Sequence, residues 1–274
     1  MLSIIDIKNE LGKNIYLYPV HPESIKGNTI DMHASEFGWS LKTGQKLNNG
    51  DGYLVIPPHD IALIYTEESI YVSRKIGGTY HSKVTLVSKG LSHISTTLDP
   101  QYLGTSLIAM YNYNDTSFSI QVGSEFVTLI FYYLATPDYW DSVSHDNDPG
   151  RPRMIESLED NGDYISWRDR HKWSVRKDIL YEEMVNSSAY KICKENFALE
   201  QRKFNRKHFW GKIKKYIVSV LAVATISGLL SVSAYIFDCG VLSVLSKGIV
   251  ENFALPVLVS IVAAQLMVDI KIKN

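Results

Sequence analysis

The sequence predicts a mainly β head, followed by an α-helical stalk and two transmembrane helices. Three observations support this fold class: short strand-like runs separated by turn signals near the N-terminus, a long stretch without Gly or Pro, and two uncharged apolar segments near the C-terminus. They divide the 274 residues into a head, a loop or lid, a stalk with a basic end, and a membrane hairpin, at residues 1–135, 136–162, 163–213 and 214–274.

The head contains short runs rich in β-branched and aromatic residues, at 14–20, 52–58, 61–66, 83–88, 104–113, 117–122 and 125–134. Turn formers such as Gly77-Gly78 and Asp99-Pro100 separate these runs. Many short strands at regular spacing are typical of a sandwich or barrel, whereas a parallel α/β sheet would show helical runs between its strands.

The membrane hairpin is predicted from two uncharged segments, 216–237 with 22 residues and 252–268 with 17. About 20 apolar residues span a bilayer as a helix. The positive-inside rule places both termini in the cytoplasm, because basic residues flank the hairpin: Arg202, Lys203, Arg206, Lys207, Lys212, Lys214, Lys215, Lys271 and Lys273. The alternatives are a buried helical hairpin for the apolar segments and a nucleic-acid patch for the basic run.

The stalk is predicted because residues 163–210 contain neither Gly nor Pro. Five side chains at four-residue steps share one helical face: Tyr181, Val185, Ala189, Cys193 and Phe197. On that face Cys193 is interpreted as a small buried apolar residue, not a nucleophile. The loop before the stalk is expected to hold one short helix around residues 154–158.

Composition excludes several classes of protein. A formal net charge of −1 argues against a nucleic-acid partner, and 45% hydrophobic residues argue against disorder. Two cysteines, Cys193 and Cys239, cannot form a disulfide framework or a cysteine-rich zinc site. The eight histidines show no ligand spacing, and no P-loop, dinucleotide fingerprint or nucleophile elbow occurs. The group Ser144-His145-Asp146-Asn147-Asp148 is interpreted as a solvated turn.

The strongest local candidate for a site is the stretch from Thr97 to Gly104. Asp99 follows a strand-like run, and its carboxylate can activate a water or hold a sugar hydroxyl. The ring of Tyr102 can stack on a sugar, and Gly104 lets the backbone turn sharply. A purely structural Asp-Pro turn is the alternative interpretation.

Five segments of the head occur in the order of one family's motifs, at residues 3–11, 27–32, 56–68, 98–104 and 122–131. Among them, Leu98-Asp99-Pro100, Tyr102 and Gly104 match the pattern I-D-P-x-[FYW]-x-G. The head therefore resembles the dUTPase and dCTP deaminase family, trimeric β-folds that act on deoxypyrimidine triphosphates. The resemblance implies a distorted β-barrel or jelly-roll head and a nucleotide site at Lys83, Thr85, Ser88, Thr97, Asp99 and Tyr102.

The head also departs from the family's pattern. Lys83 and Thr85 stand where the family has a phosphate-binding Arg-Ser, and Ser88 stands near a second arginine of the deaminases. Ala109 replaces the deaminases' catalytic glutamate, so attack of water on cytosine has no evident base. Thr128 replaces a late-strand glutamine, and the glycine-rich closing arm of the dUTPases has no counterpart. Asp99, which orients the attacking water in a dUTPase, is retained.

These features favour a membrane-anchored, deoxynucleotide-binding protein of sensor or effector type whose head has lost deaminase activity. Its expected partners are a deoxypyrimidine nucleotide or related signal, the lipid bilayer, and the other chains of a homotrimer. No intrinsic cofactor is implied, and Mg²⁺ with a nucleotide triphosphate is the one candidate. An active membrane-tethered dUTP diphosphatase that uses Asp99, and a structural trimeric platform, are the alternatives. The joining of a sensor to a membrane effector resembles bacterial antiviral proteins.

Overall fold

The computed structural model describes residues 1–48, 50–137, 148–236, 244 and 248. The chain divides into two compact units, Met1–Phe197 and Ala198–Asn274. The first unit holds the described strands, which are β1 Ile15–Tyr18, β2 Ile25–Lys26, β3 Thr29–Ser40, β4 Tyr53–Ile56, β5 Ile61–Val72, β6 Ile76–Ser82, β7 Leu91–His93, β8 Thr97–Leu98, β9 Leu103–Asn112, β10 Phe118–Gln121 and β11 Glu125–Tyr133.

Nine of these strands form one antiparallel sheet in the order β7-β9-β5-β3-β11-β6-β8, with β1 added to β5 and β2 added to β3. Strands β4 and β10 pair separately. Strand β3 pairs with β5 through Ala34–Ser40 and with β11 through Thr29–His33, so it joins two halves of a curled sheet. The mainly β head predicted from the sequence is therefore confirmed.

Two register shifts bend the long central strands. One lies between Ala34 and Gly38 of β3, and the other lies between Tyr65 and Ser69 of β5. Extra residues in one strand of a pair bend the strand and redirect its side chains. In β5, the Thr66 hydroxyl donates to the carbonyl of Glu68 at 2.7 Å and accepts the amide of Ser106 at 2.9 Å, which fixes the irregular segment.

The described helices are α1 Ile4–Glu10, α2 Val84–Val87, α3 Asn161–Arg170, α4 Lys177–Asn186 and α5 Ser188–Ile236. Helix α1 lies within residues 3–11, the first of the five segments that carry the family resemblance. Its first turn is closed by a capping box, in which the Ser3 hydroxyl accepts the Asp6 amide and the Asp6 carboxylate accepts the Ser3 amide.

Two local predictions were wrong. Residues 83–88 were expected to form a strand, but Val84–Val87 form the single helical turn α2. Val84 and Val87 are 81% and 48% exposed, and Leu86 alone of the three large apolar residues packs against the core. The strand preference of the run therefore has little to pack against. The short helix expected at 154–158 is instead a 3-10 turn at Pro152–Ile155, with proline in its first turn.

The predicted stalk is divided among three helices, and its first part packs on the head. Leu180 and Met184 of α4 and Cys193 and Phe197 of α5 are buried. Ser187 separates α4 from α5, because its hydroxyl accepts the amide of Tyr190 at 3.2 Å in the manner of an N-cap. The first unit therefore extends to Phe197, beyond the strands, and Cys193 is buried as expected.

Helix α3 is attached to the sheet by a cluster of aromatic rings. Tyr164 stacks on Tyr65 of β5, with ring centroids 3.9 Å apart, and makes an edge contact with Phe37 of β3. Its hydroxyl pairs with the hydroxyl of Thr105 at 2.7 Å. Trp39 and Ile155 complete this buried group. The aromatic cluster holds residues 152–170 against the curled sheet.

Among the residues that the structure describes, no helix is both long enough and apolar enough to cross a membrane. The second predicted segment at 252–268 lies outside the described residues, as do Cys239 and the group Ser144-His145-Asp146. The transmembrane part of the predicted fold class is therefore not supported by the described structure.

Candidate functional site

The structure brings together Thr97, Asp99 and Tyr102, three of the six predicted site residues. They lie where β8 turns into β9, and the Tyr102 amide donates to the carbonyl of Asp99 at 3.1 Å. The Thr97 hydroxyl donates to Asp99 Oδ1 at 3.1 Å. The Tyr102 hydroxyl donates to the carbonyl of Thr105 at 2.6 Å, and burial raises the pKa of Tyr102, which keeps it a donor. The carboxylate and the ring are thus fixed side by side.

Arg151 covers both groups. Its Nη2 atom donates to Asp99 Oδ2 at 3.1 Å, and its guanidinium lies 5.6 Å from the centroid of the Tyr102 ring. A cation over an aromatic face and beside a carboxylate is attracted to both. Sequence reasoning missed Arg151, although a basic residue within Gly150-Arg151-Pro152 was a signal. Arg151 therefore contacts the same two groups, the Asp99 carboxylate and the Tyr102 ring, that the sequence analysis expects to bind a sugar.

Two cavities of about 210 and 250 Å³ adjoin Arg151, and Tyr102 lines both of them. The first is walled by Asp99, Asp148 and Lys177, and the second by Tyr80, Thr97, Ser106 and Leu107. Both are smaller than the ~300–1,000 Å³ typical of small-molecule sites. Arg151 and Tyr102 are the two walls that both cavities share, and Asp99 lines the first cavity.

The segment that carries Arg151 is pressed against the sheet by a glycine-to-glycine crossing. A Cβ at Gly104 would lie 2.2 Å from the amide nitrogen of Gly150, and Gly104 has a φ of +130°. Only glycine permits that φ and that close approach. Asp148 beside it accepts a bond of 2.7 Å from Arg168 of α3. The segment is therefore linked to both the sheet and α3.

Lys83, Thr85 and Ser88 lie elsewhere, and none of them lines either cavity. The ammonium group of Lys83 is 2.6 Å from Asp31 and 2.6 Å from Glu125. Burial works against the Glu125 carboxylate, but its hydrogen bonds from Lys83 and Lys26 prevail and lower its pKa to about 2. Lys83 is thus neutralised by carboxylates, and its role as a phosphate contact stays a prediction.

Two positions that depart from the family's pattern are structural. Ala109 lies in β9 opposite Leu63 of β5, so no carboxylate is supplied at that position. The Thr128 hydroxyl donates to Asp31 Oδ1 at 2.5 Å and joins the group of charges around Lys83. Neither residue offers a proton acceptor for deamination.

Comparison with known proteins gives three findings. The family model described as dCTP deaminase-like matches residues 1–134. The dCTP deaminase of Thermococcus kodakarensis is 27% identical over 129 residues, which are 47% of this chain and 82% of the relative. Residues 1–134 therefore form a dCTP deaminase-like domain. This domain ends well before Phe197, where the first compact unit ends.

Two solved structures are similar to this chain at lower sequence identity than the curated relative. A mutant dUTPase from phage phi11 of S. aureus, described with a structural Mg(II) ion, has a TM-score of 0.36 and 14% identity over 47% of this chain and 95% of its own. The 2′-deoxycytidine 5′-triphosphate deaminase of Agrobacterium tumefaciens has a TM-score of 0.40 and 11% identity over 47% of this chain and 45% of its own.

Proposed function

We propose that the head binds a deoxypyrimidine nucleotide at Asp99 and Tyr102 and signals this state through Arg151, without fast turnover. The observation that supports the proposal is the Arg151 guanidinium, which lies against both the Asp99 carboxylate and the Tyr102 ring. A deoxyribose competes for the same two groups, because its hydroxyl can donate to Asp99 and its face can stack on Tyr102. Bound nucleotide and seated Arg151 are therefore mutually exclusive.

Displacement of Arg151 would also change the contacts of helix α3. Arg151 follows Gly150, which touches the backbone of Gly104 on one side and the Tyr164 hydroxyl region on the other. Asp148 is bonded to Arg168 in the same helix α3. A ligand can shift such an equilibrium only by its different affinity for the two states, and the competition for Asp99 supplies that difference. Helix α3 would receive the signal first.

The chain departs from its deaminase relatives at the reacting centre, since Ala109 offers no base. A tethered dUTP diphosphatase is the second candidate, because Asp99 is retained and is solvent-accessible, with its side chain 35% exposed. In that case Asp99 would orient the attacking water, and Mg²⁺ would accompany the triphosphate. A structural platform, the third candidate, would not need Asp99 at all.

The test is equilibrium binding of dCTP, dUTP and their ribose counterparts, with Mg²⁺, to the full chain. Asp99→Asn should weaken deoxynucleotide binding about 10- to 100-fold, the value of a hydrogen bond to a charged group. Asp115→Asn, at a carboxylate that is 98% exposed, is the matched control and should change nothing. Arg151→Gln should tighten binding by up to about fivefold, because a half-exposed ion pair contributes about 1 kcal/mol or less.

Product analysis of the same samples separates the candidates. Rapid conversion of dUTP to dUMP, reduced about 10²- to 10⁴-fold by Asp99→Asn, would establish the diphosphatase instead. If neither Asp99→Asn nor Arg151→Gln changes the nucleotide affinity, the proposed site is wrong. In the same titration Lys83→Ala tests the phosphate contact, provided that a denaturation curve shows the variant folded, since Asp31 and Glu125 lose their partner.

Membrane attachment and trimer formation belong to the same proposal. The support for attachment is the sequence, with the uncharged segment 216–237 directly after a basic run. The support for a trimer is the family resemblance, together with the separation of Lys83 from the Asp99 cavities, which several chains could bring together. Full-length protein should resist extraction by alkaline carbonate and sediment as a trimer in detergent. Release by carbonate would contradict the anchor.

A further inference from the structure

Away from Asp99, two histidines and two glutamates converge in the first unit. The ligand atoms of His21, His33 and Glu67 all lie within 4.8 Å of one another. The Nε2 atom of His21 is buried, and no described residue donates a hydrogen bond to it or accepts one from it. It lies 3.7 Å from Glu67 Oε2 and 3.9 Å from Glu68 Oε1. Such spacing is too long for hydrogen bonds and leaves room for an ion between the groups.

The irregular segment of β5 creates this convergence. Neighbouring residues of a regular strand point to opposite faces, so two consecutive glutamates should not reach the same place. The register shift between Tyr65 and Ser69 cancels that alternation. As a result, the carboxylates of Glu67 and Glu68 both approach His21 Nε2. Bulges that redirect side chains are characteristic of functional sites.

The cluster is partly buried and electrostatically unbalanced. His33 is 6% exposed, its Nδ1 atom is hydrogen-bonded to Glu68 Oε1, and its Nε2 atom lies 3.3 Å from the hydroxyl oxygen of Ser24. Glu68 is fixed in place, because the backbone amide of His33 donates to both of its oxygens at 3.2 and 3.0 Å. Two adjacent carboxylates beside two imidazoles favour a divalent cation.

We propose that His21, His33 and Glu67 bind one divalent transition-metal ion of the Zn²⁺ class, with Glu68 as the nearest further carboxylate. Two imidazoles and one carboxylate are a ligand set of zinc and non-haem iron sites, which keep a coordination position open. Mg²⁺ and Ca²⁺ prefer sites made of oxygen atoms alone, so two imidazoles select against them. The ion takes the place of protons on the histidines, and its charge offsets both glutamates.

The site has an entry path. Glu67 lines a cavity of about 630 Å³, whose other walls include Phe37, Trp167, Trp173 and His171. The cavity is large enough to hold water or a small ligand beside Glu67. Its aromatic walls lie on the sheet and on the segment 167–173, both within the first unit.

The test uses full-length protein without a polyhistidine tag, stripped with a chelator and titrated with Zn²⁺ and with Co²⁺. One ion per chain should bind, and Co²⁺ should give the visible absorption of a site with nitrogen ligands. His21→Asn and Glu67→Gln should each weaken binding by at least about tenfold, the lower range even for residues that only support a metal ligand. Mg²⁺ in excess should not displace the ion.

His59→Asn is the matched control, because His59 also lies beside a carboxylate, 2.8 Å from Asp115, but has a single imidazole at an exposed position. It should bind metal as the wild type does. His33 is avoided as a test position, because it is buried and its loss could unfold the chain. Wild-type protein that binds less than one ion per chain, or binding unchanged in folded His21→Asn, would overturn the proposal. Neither outcome depends on nucleotide binding at Asp99.

Discussion

Replacing Tyr164 with alanine is expected to lower the free energy of unfolding of the first unit by about 3–5 kcal/mol, the usual loss for a large buried aromatic side chain. Tyr164 is only 1% exposed and lies between Tyr65, Phe37 and Trp167. No neighbour can fill the resulting cavity without breaking the aromatic cluster. The measurement is denaturant unfolding of the full chain, followed by tryptophan fluorescence, because Trp39 and Trp167 report on this region.

Tyr164→Phe is the control for this variant. It keeps the ring and removes only the hydrogen bond to Thr105, so the loss should be about 0.5–1.5 kcal/mol. The difference between the two variants isolates the contribution of ring packing. Equal destabilisation by alanine and phenylalanine would mean that the hydroxyl, and not the stacked ring, attaches α3 to the sheet.

Gly104→Ala is expected to detach the segment that carries Arg151. The added Cβ would lie 2.2 Å from the amide nitrogen of Gly150 and 2.9 Å from its Cα, and backbone atoms cannot move aside as a flexible side chain can. The φ of +130° adds strain of about 1–3 kcal/mol. We therefore expect a total loss of at least about 2 kcal/mol, with faster trypsin cleavage after Arg153 once the 3-10 turn loosens.

Gly27→Ala separates strain from collision. Gly27 also has a positive φ, at +56°, but a Cβ there meets nothing within 4 Å. This control should lose about 1 kcal/mol through backbone strain and leave the cleavage rate after Arg153 unchanged. If the two alanine variants lose the same stability and are cleaved alike, the crossing of Gly104 and Gly150 does not hold the segment in place.

The strands that could be predicted are those with a local pattern. Residues 61–66 form a short apolar run directly after the turn formers Pro57-Pro58, and they fall in β5. The helix α1 begins with a capping box that Ser3 and Asp6 complete within one turn. Residues 83–88 have the same β-branched composition as a strand, yet they fold as α2. The outcome at residues 83–88 depends on tertiary contacts. Lys83 forms ion pairs with Asp31 and Glu125, and both lie too far away in the sequence for a local pattern to include them.

The candidate sites divide in the same way. Asp99 and Tyr102 are three residues apart, so one motif could predict their convergence. Arg151 reaches Asp99 from a distant loop, which the glycine crossing and the bond between Asp148 and Arg168 hold in place. His21, His33 and Glu67 have no ligand spacing along the chain, because the pairing of β3 with β5 and the register shift in β5 assemble them. Distances along a sequence carry no record of such shifts.

The aromatic cluster also has a consequence for the order in which the chain is made. Phe37 and Tyr65 lie in strands that leave the ribosome early, but Tyr164, which covers both rings, is synthesised about a hundred residues after Tyr65. At about 5–20 residues per second, that delay lasts roughly 5–20 s. During this interval the rings of Phe37 and Tyr65 are exposed on the nascent sheet. The nascent chain is therefore open to misassembly at these two rings until α3 has been synthesised.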